Sequence, residues 1–396
     1  MTPPIAERLA QDFERRHRRP PVVFRAPGRV NLIGEHTDYN DGFVLPAAIE
    51  LATYVAAAPR ADRLLRIDSS AFGDCAEMSL DAPPQAPRRH WSDYVFGVAA
   101  AMLRAGLPLV GADLSIDGDL PMGAGLSASA ALEVGVGAAL AKIAGLRLAP
   151  ERLALLGQSA ENDFVGMRCG VMDQFASACG VEGAALLLDC RTLETRRTPI
   201  DPRVRLLVCN SMARHELANG EYNLRREACE ETVRRLAAGA PEVSALRDVT
   251  EARLAERAGL LTPLLLRRAR HVVSENARVL RFVAAMAAGD LAQCGRLMYA
   301  SHASLRDDYA VSCAELDLLV ELAGALDGVV GARMMGGGFG GSTINLVETD
   351  AAAQVAERLA AAYRRATGTT PEIHLCRPSA GVAEVALGSN PGSIIS

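Results

Sequence analysis

The sequence predicts a mixed α/β or α+β architecture in two domains, rather than a doubly wound parallel sheet. Three observations carry this. Short apolar runs of strand length alternate irregularly with longer helical stretches, without the strict βαβ repeat of an open parallel sheet. The 396 residues are enough for two or three domains. The segment Thr198-Pro199-Ile200-Asp201-Pro202 interrupts both periodicities, which sets the expected division at residues 1–200 and 201–396.

Along the chain, strands are expected at Val22–Phe24, Leu51–Ala57, Leu114–Ile116, Ala184–Leu188, Val204–Val208 and Thr343–Val347, each a compact apolar run. Helices are expected at Tyr94–Ala105, Ser127–Ala144, Ala149–Asp163, Tyr222–Ala238, Arg268–Ala288 and Ala351–Ala366. The proline-rich stretch Pro83–Arg89 reads as an exposed connection. No internal repeat or low-complexity tract interrupts the series.

Composition narrows the function classes. A hydrophobic fraction of 49%, a charged fraction of 22% and a net charge of −5 describe an ordinary globular chain and argue against a nucleic-acid partner. Nine scattered cysteines without a C-x-x-C spacing suggest neither a disulfide framework nor a zinc site and fit a reducing compartment. No apolar leader opens the chain and no run of about 18 apolar residues appears, so a cytoplasmic protein without a membrane partner is expected. Lys142 is the one lysine, and Ala141 precedes it, which excludes the Gly-Lys pair of a P-loop and the strand lysine of a protein-kinase site. A nucleotide site here would have to rely on backbone N–H groups, arginine and metal.

Four segments concentrate polar or flexible residues. The first, Arg25 to Tyr39, runs from a strand through Pro27-Gly28 into Arg29, Glu35, His36 and Asp38. Carboxylates and a histidine at this spacing suit the hydroxyls of a sugar, although a solvated polar turn accounts for the same pattern. The second, Pro121-Met122-Gly123-Ala124-Gly125-Leu126-Ser127-Ala128-Ser129, opens a helix. Its small residues and unpaired helical amides would cradle phosphates, and a glycine turn with a serine cap is the plainer account. The third joins Glu161 to Cys169-Gly170-Val171-Met172-Asp173-Gln174-Phe175. An aspartate among apolar neighbours needs a partner or has its ionisation perturbed, and a capping role is the plainer alternative. The fourth packs five glycines into Gly336–Gly341, for a tight hairpin or close backbone approach to a ligand.

Taken together and in this order, the segments resemble the GHMP kinases, and Gly28 to Asn40 resembles the sugar-recognition stretch of the galactokinases. The likeness continues through Gly170–Phe175, Glu221-Tyr222, Ala269–Asn276, Ser304–Tyr309 and Gly331–Gly338, covering nearly the whole chain. The resemblance implies a fold pairing an amino-terminal domain like the second domain of ribosomal protein S5 with a carboxyl-terminal ferredoxin-like domain. It implies ATP-dependent phosphorylation of galactose at C1, with galactose, ATP and Mg²⁺ bound in the cleft. Asp173 would be the base and Arg29 its charge partner. Glu35, His36, Asp38, Gly170 and Tyr222 would bind sugar. Gly123, Ala124, Gly125, Leu126, Ser127, Ala128 and Ser129 would wrap the triphosphate, with Ser129 and Glu161 meeting Mg²⁺. Ala124 and Ala128 depart from the Gly and Ser common in the family's loop, and the methyl at 124 is expected to crowd the backbone approach slightly. A monomer is expected. A related kinase for N-acetylgalactosamine or another hexose, and a non-catalytic galactose sensor, are the alternatives. The full-length Ser127–Ala131 stretch argues against the sensor.

Overall fold

A computed structural model describes residues 3–214, 218–238 and 240–387. The first half begins with helix α1 (Pro4–His17), whose Ala6, Leu9, Ala10 and Phe13 form one apolar stripe at helical spacing. Strands β1 (Val22–Asn31), β2 (Phe43–Val44), β3 (Pro46–Pro59), β4 (Leu64–Ser69) and β5 (Asp74–Ser79) follow. After helix α2 (Ser92–Arg104) come β6 (Ala112–Gly118), α3 (Ala128–Ile143), α4 (Pro150–Ala160), α5 (Met172–Cys179), β7 (Ala184–Asp189) and β8 (Thr195–Pro199).

The long strand β3 shows why this half is layered. Its Ala52, Tyr54, Ala56 and Ala58 pack on α1, while Val55 and Ala57 on the opposite face join a cluster with residues of α2 and α3. Alternate side chains point to opposite faces of a strand, so an Ala-rich run can be buried on both. Helix α1 is absent from the elements predicted above, because its narrow stripe is set in a stretch rich in charged residues.

The second half contains β9 (Val204–Arg214), α6 (Ala218–Ala237), α7 (Glu251–Glu256), α8 (Pro263–Ala287), α9 (Leu291–Ser304) and α10 (Ala314–Gly324). It continues with β10 (Val329–Met334), β11 (Gly340–Glu348), α11 (Ala352–Thr367), β12 (Glu372–Cys376) and β13 (Ala383–Glu384). The four-stranded sheet runs β10-β11-β9-β12, every pair antiparallel. With helices inserted after β9 and β11, this is the βαββαβ order of a ferredoxin-like sheet. The other sheets run β13-β1-β3-β6-β4-β5 and β2-β7-β8, with β4 and β6 parallel.

The halves share buried surface. One apolar cluster contains Val30, Ile33, Leu45, Leu126 and Leu187 from the first half and Val208, Phe282, Leu297, Met335 and Ile344 from the second. The chain also returns to its starting sheet, where β13 pairs with β1. Lys142, at the end of α3, holds Glu384 of β13 at 2.7 Å, so the lone lysine serves architecture at a distance from the glycine-rich loop. Among the described residues no helix is long and apolar enough to cross a membrane.

Candidate active site

Strand β1 breaks register between Pro27 and Arg29. A bulge of this kind re-aims the following side chain. Gly28 is needed there, since a Cβ would lie 2.4 Å from Leu120 Cδ1 and 2.8 Å from the Leu126 carbonyl oxygen. The buried Arg29 side chain then meets Asp173, in the first turn of α5. Arg29 Nε donates to Asp173 Oδ1 at 2.8 Å and Nη2 to Oδ2 at 2.7 Å, a two-pronged fork. Ser127 Oγ donates to the same carboxylate. Ser177 Oγ donates to the Pro27 carbonyl at 2.7 Å, tying α5 to the bulge that presents the arginine.

Two cavities meet at this pair. The smaller, about 210 Å³, is lined by Glu35, His36, Asp38, Glu161, Gly170, Tyr222 and the turn 336–339 among others. The larger, about 430 Å³, is lined by Gly123, Gly125, Leu126, Ser127, Ala128 and by Phe72, Trp91 and Tyr94. Arg29, Ser129, Asp173, Gly336 and Gly337 border both. Trp91 stacks on Phe72 with ring centroids 5.0 Å apart and planes 5° from parallel, an apolar wall suited to a flat ring.

The glycine-rich loop is turned so that its carbonyls face the protein. The Ala124 carbonyl accepts from Ser342 Oγ at 2.5 Å, Gly125 from Arg29 Nη1 at 2.7 Å, and Leu126 from Arg29 N at 3.1 Å. Gly123, Gly125 and Ser127 take positive φ values of 75°, 71° and 57°, which brings the chain sharply into α3. The first amide of α3 bonded to a helical carbonyl is that of Ala131, so those of Ala128, Ser129 and Ala130 lie at the positive helix end. Ala124 lines neither cavity. Its methyl is fully buried in the apolar core, so the crowding expected at this position does not occur.

The smaller cavity holds several perturbed ionisable groups. Glu35 is raised by burial, against the opposing charges of Arg333 and Arg29. Burial together with nearby Asp173 pushes Asp38 up to about 7. Gly170 lies directly against it: a Cβ there would fall 2.0 Å from Asp38 Oδ2. Burial holds His36 well below its usual value, so the ring is neutral, with Nδ1 2.8 Å from the Tyr39 hydroxyl. The rings of His36 and Tyr222 lie 5.6 Å apart and form one wall.

At the border of the cavities, Ser129 Oγ donates to Glu161 Oε1 at 3.4 Å. Burial and Asp173 push Glu161 up to about 7. These are hard oxygen donors of the kind a divalent cation takes. Among the described residues no cluster of three or more His, Cys, Asp or Glu could hold an ion unaided. Two neighbours escaped the sequence reading as site residues. Glu133 in α3 is buried, and burial beside Glu161 pushes its pKa well up. Gln174 Nε2 donates to Glu133 Oε2 at 2.9 Å and to Glu161 Oε2 at 2.8 Å. A single carboxylate within the otherwise apolar run Ala130–Leu140 was the signal for Glu133.

The chain is similar to known proteins along most of its length. Residues 11–59 match the galactokinase galactose-binding signature, residues 93–181 the GHMP kinase N-terminal domain, and residues 282–365 the GHMP kinase C-terminal domain. A galactokinase of Chloroflexus aggregans is 53% identical over 372 residues, 94% of this chain and 95% of that one. The crystal structure of Lactococcus lactis galactokinase complexed with galactose superposes with a TM-score of 0.92 at 34% identity, covering 96% of this chain and 99% of that one. A mevalonate kinase of Methanococcus jannaschii, 16% identical with a TM-score of 0.61 over 91% of this chain and 99% of that one, shares the fold. The chain therefore belongs to the galactokinase family of GHMP kinases.

Proposed function

We propose that this chain transfers the γ-phosphoryl group of ATP to the C1 hydroxyl of galactose, giving galactose 1-phosphate and ADP. The observation that carries the reading is the Arg29–Asp173 fork on the common wall of two cavities. One cavity is lined by the galactose-binding signature and the other by the glycine-rich loop.

In this reading the smaller cavity takes the sugar. Glu35, Asp38, neutral His36 and Tyr222 offer acceptors, donors and a ring face, and Gly170 leaves Asp38 room to reach a hydroxyl. The larger cavity takes ATP, with the triphosphate along Gly123–Ser129 and the base toward Trp91 and Phe72. Phosphoryl transfer asks mainly for alignment and charge neutralisation. The orphan amides of α3 supply fixed partial positive charge there, and Arg29 lies within reach of charge developing at the transferred group. Asp173, held in place by the Arg29 fork, accepts the C1 hydroxyl proton as the new P–O bond forms and the bond to ADP breaks. Ser129 and Glu161 would hold Mg²⁺ jointly with the phosphates, where a bound divalent cation neutralises phosphate charge. The division of labour follows the chain, residues 1–200 supplying most of both sites and 201–396 closing them through Tyr222 and Gly336–Phe339.

Coupled measurement of ADP release against galactose, glucose, N-acetylgalactosamine and arabinose tests the proposal. Galactose is expected to give the highest kcat/KM. Faster turnover of N-acetylgalactosamine would reassign the substrate, and galactose binding without ADP release would make the protein a sensor.

A further inference from the structure

Two motifs noted in the sequence, Ala269–Asn276 and Gly331–Gly338, contribute side chains that meet no proposed reacting atom. The structure aims four of them at the galactose-binding signature. Glu275 Oε1 accepts from Gly34 N at 2.9 Å, His271 Nε2 lies 3.1 Å from the Glu35 carbonyl oxygen, and Asn276 Oδ1 accepts from Phe43 N at 2.8 Å. The fourth is Arg333, the largest fully buried side chain described.

Every donor group of Arg333 is directed at this junction. Nε donates to the Leu32 carbonyl at 3.0 Å, Nη1 to Met334 at 2.7 Å, and Nη2 to the Asn31 carbonyl at 3.4 Å. Nη2 and Nη1 also donate to Glu35 Oε1 at 2.8 and 3.4 Å, and Gly336 N donates to the same oxygen at 2.8 Å. Glu35 itself lines the smaller cavity. A buried carboxylate needs its charge compensated, and a planar guanidinium can do so while fixing the rotation of the group.

We propose that Arg333 is the positioning residue for sugar recognition: it crosses from the second half of the chain to saturate Glu35 Oε1, orienting Oε2 to accept a sugar hydroxyl. Arg333 does not touch substrate; it acts through Glu35. This rests on the assignment of the smaller cavity to the sugar. It also gives the signature stretch, which belongs to the first half, a dependence on β10 of the second.

The test uses the full chain and isothermal titration with galactose, alongside steady-state kinetics. Arg333→Met is expected to raise the galactose Kd at least about tenfold, with the ATP KM within about twofold, the pattern of lost substrate binding. In a Glu35→Gln background the same change should add less than about threefold, because the residue it acts through is already altered. Equal rises in the KM for galactose and ATP, or fully multiplicative effects in the double variant, would mean a general structural role and overturn the proposal. Should Arg333→Met fail to fold, Arg333→Lys keeps the charge without the fork and is expected to raise the galactose Kd at least about threefold. An unchanged Kd in that variant refutes the proposal. If the wild-type chain binds another sugar instead of galactose, the substrate assignment fails and the same variants are titrated with the sugar that binds.

Discussion

Asp173 and Asp38 face the same cavity under opposite constraints. Asp173 has the Arg29 fork and the Ser127 hydroxyl as donors, whereas Asp38 accepts from Tyr39 N at 3.0 Å and is destabilised as an anion by burial and by Asp173. In the proposed mechanism, Asp173→Asn should lower kcat by at least about 10²-fold, the scale of general-base contributions, with little change in galactose affinity. Near-normal turnover would remove Asp173 as base. Asp38 yields a pH prediction. Its folded pKa of about 7 stands above the ordinary aspartate value, so between about pH 4 and 7 the folded chain holds a proton that the unfolded chain lacks. This group's contribution to stability therefore falls as pH rises through that window. A sugar hydroxyl donating to Asp38 favours the carboxylate, so galactose binding near pH 7 should release part of a proton and weaken toward pH 6. Calorimetric titration in buffers of different ionisation enthalpy measures the release, and Asp38→Asn should abolish it. A binding enthalpy independent of buffer would contradict the assignment.

Among the elements, the loop preceding α3 depends on partners remote in sequence. Ser342 of β11 is buried and donates to the Ala124 carbonyl across 218 positions. Ser342→Ala leaves that carbonyl without its hydroxyl donor, a loss on the order of 1–3 kcal/mol. Chemical denaturation should show this destabilisation, and the ATP KM should rise while the galactose KM stays within about twofold. Equal effects on both substrates would mean that Ser342 supports the interface as a whole rather than the loop. The π-helical turns Glu161–Val165 and Leu305–Tyr309 extend α4 and α9, the first contributing Glu161 to the lining of the smaller cavity. Such widened turns cost regular hydrogen bonding and recur at functional sites. Here the first presents Glu161 to Ser129 and the second places Tyr309 4.7 Å from the His36 ring.

At the scale of the whole molecule, the shared apolar cluster and the pairing of β13 with β1 couple the two halves. Separating them would expose Val30, Ile33 and Leu126 together with Val208, Phe282 and Ile344, all buried. Exposed apolar area costs roughly 25 cal/mol per Å², which makes independent unfolding of one half unfavourable. Scanning calorimetry should therefore show one main transition, moved upward by galactose and by Mg-ATP, since ligands that bind the folded state stabilise it. Two transitions, of which only one responds to ligand, would show that the halves unfold separately.

The sequence alone determined the local features. Periodicity located helices α2, α3, α4, α6, α8 and α11, as with Ala149–Asp163 against Pro150–Ala160 and its π-turn, and the apolar centres of the strands. It left out α9 and α10, and β1 and β9 run on to Asn31 and Arg214, well past the expected ends at Phe24 and Val208. The glycine turns and the order of the motifs identified the family. These signals were legible because they depend on neighbours in the chain: side-chain spacing, backbone freedom and helix ends. Tertiary structure alone decided which groups meet. Arg29 and Asp173 are 144 positions apart, and Glu35 and Arg333 are 298 apart. Arg333, between Ala332 and Met334, and Glu133, inside an apolar helix, find their side-chain partners Glu35 and Gln174 outside their own segments. A buried charge is tolerated only where the fold supplies its counterpart, and that counterpart comes from packing across the chain rather than from sequence spacing.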